Sequence, residues 1–394
     1  MSNTSIRVIT EPEEFATLKE VWNRLLPQCA DDSSIYLTHE WLSTWWKYFG
    51  YGKKLHLLLI EKGLQVIGVV PLMEVEYRAP LHRFHVLETV GSVNCNYIGL
   101  IPPENGDETV TALLTYLEDQ LNKSRLVLRL VMVPEDSKIL ALMRKHGSML
   151  AKNLRIDEKV NTLAPYVPLP ATWDDYFLSL SQNRRAILRR VLRSLEKEHK
   201  VELKEYPPGC LEARLNEFFE LHQQRWQSIN IRGVFSSAQM REFYLDIANQ
   251  FQQKNWLHFS CLTADNEVVS AVYGFVYNNK LYCTTAARDI RYSKYSVGHI
   301  HQMFLIKQAI SKGLREYDFL KGDEPYKFHW TKSARKYFQV AVFKKGPYLS
   351  LHFKLLQLWS RLQTIRQYSV RELYSRYLIR RRERKEKKSA GLEC

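Results

Sequence analysis

The sequence predicts an α/β (α+β) protein of two tandem domains, each a mixed, mainly antiparallel sheet flanked by helices, with a basic helix at its C-terminal end. Three observations predict it. Two hairpin patterns lie some 200 residues apart, LHLLLIEKGLQVIGVVPLM at 55–73 and LHFSCLTADNEVVSAVYGFV at 257–276. The same order of elements surrounds each of them. A cluster of Pro165, Pro168 and Pro170 marks a boundary between the two halves.

Each hairpin pairs two apolar strands around a tight-turn dipeptide, Lys62-Gly63 in the first and Asp265-Asn266 in the second. A helical, aromatic-rich segment precedes each, at 39–49 (HEWLSTWWKYF) and 237–252. A further strand and then a helix follow, the helices falling near 107–122 and 298–313. A last strand closes each unit at 125–132 and 315–320. A duplicated unit explains this order better than chance does. The expected domains are 1–165 and 166–345, with 346–394 as an amphipathic helix and basic tail.

The chain has 394 residues, more than one ordinary core requires. Hydrophobic content of 45% and aromatic content of 12% exclude a disordered chain. The six cysteines form no CxxC pair, which argues against a zinc clip or a disulfide framework and for reduced thiols; no metal is expected. The N-terminal residues show no secretion pattern and no stretch approaches the length of a membrane span, so a cytoplasmic protein is expected. The net charge of +15 is uneven: residues 371–388 hold nine basic and three acidic side chains. That basic cluster beside an amphipathic helix suits an anionic membrane face, and peripheral contact with the inner membrane is the expectation. No RNA-stacking signature accompanies it.

Between the halves runs a basic helix, SQNRRAILRRVLRSLEKEHK at 181–200. Leu188, Val191, Leu192 and Leu195 form its apolar stripe. Arg185, Arg189 and Arg193 form a cationic row, either a solvated face or a wall for an anionic ligand. The segment from Arg288 ends at Gly298 and opens another helix. Unpaired N–H groups at a helix start suit a pyrophosphate, with Arg288, Arg291 and Lys294 adding charge. The plain alternative is an N-cap in which Ser296 bonds back to the helix. Arg291, Ser296, Val297, Gly298 and His299 are the candidate donor-binding positions.

The densest run is YDFLKGDEPYKFHW at 317–330. An apolar strand turns at Gly322 and delivers Asp323, Glu324, Tyr326, Lys327, His329 and Trp330 within eight residues, which is the composition of a site wall. The bland reading makes the carboxylates loop caps and Tyr326 and Trp330 interface packing. His39, Trp41, Trp45 and Trp46 offer a carbohydrate platform or, more commonly, core.

The motifs LTHEWLSTWWKYFG at 37–50, NRRAILRR at 183–190 and YDFLKGDEPYKFHW, in this order, resemble the CelD-like acyltransferases of the GNAT superfamily, relatives of the FemABX peptidyltransferases with two tandem GNAT-like domains. The resemblance covers residues 20–345. It implies acyl, most simply acetyl, transfer from acetyl-CoA or another acyl-CoA to an amine or hydroxyl of a sugar or envelope-polysaccharide precursor. It also implies a pantetheine arm between the strands at 280–288 and 315–320. The usual phosphate loop reads Gln/Arg-x-x-Gly-x-Gly/Ala; here Ser293, Ser296 and Gly298 keep only the last glycine. Aminoacyl transfer from tRNA to a cell-wall precursor, and a non-catalytic accessory role in polysaccharide synthesis, are the alternatives. Catalytic candidates are Lys327, tied to the substrate in FemABX proteins, and Glu324, Asp323 and His329 as bases. Arg185, Arg189, Tyr326 and Trp330 are the candidate substrate contacts.

Overall fold

The computed structural model describes residues 4–29, 34–79, 82–91, 106–123, 126–150, 153–206 and 208–346. The amphipathic helix and basic tail expected beyond 346 lie outside the described residues. The first repeat runs β1 (Thr4–Ile9), α1 (Pro12–Thr17), α2 (Lys19–Leu25), α3 (His39–Phe49), β2 (Lys54–Lys62), β3 (Gln65–Ala79), β4 (His82–Thr89), α4 (Gly106–Lys123), β5 (Leu126–Pro134), α5 (Lys138–Leu150) and β6 (Leu154–Pro168). Two connecting helices follow, α6 (Trp173–Ser179) and α7 (Gln182–Glu198). The second repeat runs β7 (Val201–Glu205), α8 (Leu211–Gln227), α9 (Ala238–Gln253), β8 (Leu257–Ala264), β9 (Glu267–Tyr277), β10 (Lys280–Arg288), α10 (Val297–Ser311), β11 (Glu316–Asp318) and β12 (Ala334–Lys344).

The twelve strands of the described residues join one sheet in the order β1-β2-β3-β4-β5-β12-β6-β11-β10-β9-β8-β7. Read from either edge, this order is the same once six is added to or taken from each number. The duplication seen in the sequence is therefore a two-fold relation in space. Pairing is antiparallel throughout except β4 with β5 and β10 with β11, which are parallel and joined by α4 and α10. At the centre the repeats exchange their last strands. β12 lies against β5 of the first repeat, and the end of β6 lies against β11 of the second. The expected boundary at 165/166 thus falls inside β6, where its pairing passes from β12 to β11.

The proline cluster fits this strand because its prolines need no amide. The carbonyl of Pro165 accepts from the Phe319 amide, while Tyr166 and Leu169 supply the neighbouring N–H groups, bonding Ser333 and Arg315. A buried ion pair staples the exchange. Arg335 of β12 forks onto Glu316 of β11, lies over the Tyr166 ring at 3.8 Å and faces Asp318 at 3.7 Å. Burial pulls the Arg335 pKa down, but the hydrogen bond and charge of Glu316 outweigh it and leave the pKa raised.

Helices α3 and α9 pack the repeats together on one face. Trp41 meets Phe243 edge-on with centroids 5.2 Å apart and Phe275 at 5.7 Å. His39, Trp41 and Trp45 are buried in this core, so the carbohydrate platform does not form. The burial of Trp41 and Trp45 follows from the spacing: 38, 41, 42 and 45 share one face of a helix whose N-cap is Thr38.

Candidate active site in the second repeat

The parallel pairing of β10 and β11 lasts three residues, Lys280 with Glu316, Leu281 with Tyr317 and Tyr282 with Asp318. The two chains then part. β10 bulges between Cys283 and Thr285 and stays with β9 as far as Arg288. The other chain turns at Leu320, whose φ is +59°, and follows β6 through the bonds Phe319 N–H to Pro165 and Gly322 N–H to Leu163. A wedge opens between them, bordered by a backbone edge of β10 that pairs with no strand beyond Tyr282 among the described residues.

Local chemistry holds the wedge open. Asp318 is buried and its Oδ1 accepts from the Leu320 amide at 2.7 Å, which fixes the turn. Gln302 of α10 donates to Cys283 Sγ at 3.5 Å and accepts from the Tyr317 hydroxyl. Burial raises the Cys283 pKa, so its thiol stays protonated and is no nucleophile at neutral pH. The first repeat reaches in as well: the Tyr36 hydroxyl lies 3.1 Å from Thr284 Oγ1 inside the bulge.

Lys327 is buried below the 323–329 loop. Its Nζ donates to the carbonyls of Leu320, Lys321 and Gly322 at 3.3, 2.7 and 3.2 Å and pairs with Glu324 Oε2 at 2.9 Å. Gly322 is required there: at φ +109° a side chain is strained, and a Cβ would meet the Glu324 carboxylate. Glu324 and Asp323 are exposed. Tyr326 is 45% exposed on the same lip. His329 is exposed too, its ring 6.3 Å from that of His299 in the first turn of α10.

At the start of α10 the structure departs from the sequence expectation. Ser296 is the N-cap residue, but it sits in the left-handed region at φ 54° and its side chain makes no cap bond. Val297 is buried in the core, leaving only its backbone for a ligand. Arg291 is held by Asp289 and Glu267, and Lys294 by Glu198. Gly298 abuts the Arg288 side chain.

The cationic row of α7 also resolves differently. Arg185 turns back onto the carbonyls of Leu178 and Leu180. Arg189 lies exposed over Phe177, at 5.1 Å. The arginine that faces inward is Arg184, 7% exposed, its guanidinium 4.3 Å over the Trp330 ring. It borders a cavity of about 490 Å³ with Ser181, Asn183, His329, Trp330 and Lys332. The sequence held the signal: 184 is four residues before Leu188 and belongs to the apolar stripe, where an arginine must be buried. Trp330 is fixed by the Tyr176 hydroxyl, which donates to its carbonyl at 3.0 Å, and its ring touches His299 at 6.2 Å. The cavity and the start of α10 are therefore neighbours.

Among the described residues no cluster of His, Cys, Asp and Glu is fit to hold a metal, and no helix is long and apolar enough to cross a membrane.

Residues 182–328 match the family model described as an acetyltransferase (GNAT) domain. No curated protein matches the chain. Among solved structures, FemX superposes with a TM-score of 0.54 at 12% identity, over 85% of this chain and 96% of FemX. The C-terminal domain of a putative lysylphosphatidylglycerol synthetase from Agrobacterium fabrum gives 0.49 at 9% identity, over 87% and 95% of the two chains. A tandem GNAT protein from the clavulanic acid biosynthesis pathway gives 0.45 at 8%, over 87% and 99%. The chain thus has a GNAT-like fold in tandem, and α7 with the second repeat as far as residue 328 matches an acetyltransferase (GNAT) domain model.

Proposed function

We propose that this protein transfers an acyl group, acetyl in the simplest case, from a coenzyme A thioester to an amine or hydroxyl of a sugar or envelope-polysaccharide precursor. The observation that carries the reading is the wedge after Tyr282 and Asp318, with the first turn of α10 close by. An extended pantetheine arm matches the unpaired edge of β10, which offers it backbone N–H and C=O groups. Those N–H groups also suit the oxyanion that forms when the acceptor attacks the thioester carbonyl. A C–N or C–O bond forms, the C–S bond breaks, and the thiolate leaves with the acceptor's proton. Asp323, Glu324 and His329 stand exposed on the lip as candidate bases. In this reading Lys327 is a positioning residue that holds the 320–322 carbonyls and so the shape of the wedge.

A second reading is aminoacyl transfer from tRNA. It is favoured by the likeness to FemX and by the engaged cations around the start of α10. Calorimetric titration with acetyl-CoA, paired with thioester turnover on amino sugars and nucleotide-linked sugars, separates the two. The first reading expects saturable acetyl-CoA binding and turnover. Consumption of aminoacyl-tRNA with no thioester binding replaces it with the second.

A further inference from the structure

Arg184 is a charged group whose burial no described residue compensates. Among the described residues its buried Nε and Nη2 find no hydrogen-bond partner, and no Asp or Glu lines the cavity beside it. The indole of Trp330 covers one face of the guanidinium, so the unused donors lie in its plane. Trp330 Nε1 is buried and without an acceptor too. Isolated buried charges are costly and are retained where something pairs with them. Burial lowers the Arg184 pKa to about 10, which still leaves it cationic at neutral pH.

The surroundings specify what that partner is. The cavity also receives Lys332 and the first turn of α7, a 17-residue helix whose N-terminal dipole end favours negative charge. Positive groups therefore converge from the guanidinium fork, the ammonium and the helix start. A flat carboxylate satisfies the fork alone, whereas a tetrahedral phosphoryl group presents oxygens in all these directions. A volume of about 490 Å³ exceeds one phosphate, so the group arrives on a larger molecule. The cavity adjoins α10 through His299, at the end of the wedge where Arg291 and Lys294 are already paired with carboxylates.

We propose that Arg184 anchors a phosphoryl-binding site in the cavity between α7 and the 328–333 loop, which takes a phosphate carried by the acyl donor or by a nucleotide-linked acceptor. The assignment deepens the proposed acyl transfer and rests on it only for the identity of that carrier.

The test is calorimetric titration of the full-length protein with sodium pyrophosphate, coenzyme A, dephospho-coenzyme A and uridine diphosphate. The variants are Arg184→Gln, Arg184→Lys and, as control, Lys197→Gln at the exposed far end of α7. At least one probe is expected to bind the parent protein. Arg184→Gln is expected to weaken it tenfold or more, with partial recovery in Arg184→Lys and no change in Lys197→Gln. Coenzyme A as the affected probe assigns the site to the donor, and weaker binding of the dephospho form identifies the 3′-phosphate. Uridine diphosphate as the affected probe assigns it to the acceptor, even if acetyl-CoA binding and the donor reading fail. Thermal unfolding of Arg184→Gln at or above the parent temperature shows that the loss is not misfolding. Unchanged binding in Arg184→Gln, or no binding of any probe to the parent, overturns the site while leaving thioester turnover as a separate question.

Discussion

The guanidinium of Arg184 stacks 4.3 Å over the indole of Trp330, and among the described residues no carboxylate lines the cavity beside it. A structural arginine at such a place has an acid partner, as Arg335 has Glu316. The first expectation follows from this contrast. Arg184→Met keeps the packing on Trp330 and removes an unpaired charge. It should stabilise the ligand-free protein by about 1 kcal/mol, after the lost cation–π contact of similar size is subtracted from a larger desolvation gain. A urea titration in phosphate-free buffer measures it; a clear loss of stability would show that the charge is satisfied within the fold.

Lys327 behaves oppositely. Three carbonyls and Glu324 depend on its ammonium, so Lys327→Met leaves buried acceptors unpaired at a turn that already holds Leu320 at positive φ. A loss of about 3 kcal/mol is expected. Glu324→Gln removes only an exposed partner and should cost under about 1 kcal/mol. Equal denaturant midpoints for parent and Lys327→Met would contradict the clamp.

The staple between the exchanged strands is expected to be costlier to break from one side than from both. Arg335→Ala leaves buried Glu316 beside Asp318 with only Lys280, at 3.6 Å, to pair with it, and should cost about 3 kcal/mol. Adding Glu316→Gln to it should recover part of that loss. A double-mutant cycle by thermal unfolding reads the coupling.

Stability should fall in mild acid because histidines are buried neutral. His301 is fully buried between Ser260 and Ser270, at 3.1 and 3.0 Å, and burial takes its pKa down to about 3. Burial likewise lowers His222 to about 4. Each folded pKa lies below the unfolded value near 6.5, so the unfolded chain binds the proton first. The contribution is whole above about pH 6.5 and shrinks as pH falls toward the folded values, by about 1.4 kcal/mol per pH unit per group. Urea midpoints between pH 7.5 and 5 should drop, and His301→Asn should flatten the slope.

Gly274 tests the wedge without touching its lip. A Cβ there would lie 2.4 Å from the Tyr282 carbonyl, at the last residue of β10 paired with β11. Gly274→Ala must push β10 away, at a cost of about 1–3 kcal/mol. Weaker thioester binding than the stability loss explains is the expected outcome, read by calorimetry well below the unfolding temperature.

Local pattern carried most of the architecture. Alternation around Lys62-Gly63 and Asp265-Asn266, the helical stripes and the repeated order are short-range properties, and they determined the elements, the duplication and the wedge-forming strands. The 317–330 run stood out because its composition is anomalous for a loop, and a site wall remains its proposed role. What sequence reasoning could not see depends on contacts between distant residues. That Arg291 and Lys294 are consumed by Asp289 and Glu198, that Lys327 ties three carbonyls, and that Trp41 is core were decided by packing. The strand exchange was hidden for the same reason, since β12 and β5 are brought together only by the assembled sheet. Arg184 stands between the two cases. Its place on the apolar stripe was written in the spacing, but only the tertiary structure left its charge without a partner among the described residues, because those that surround it come from β6, α6, α7 and the 328–333 loop.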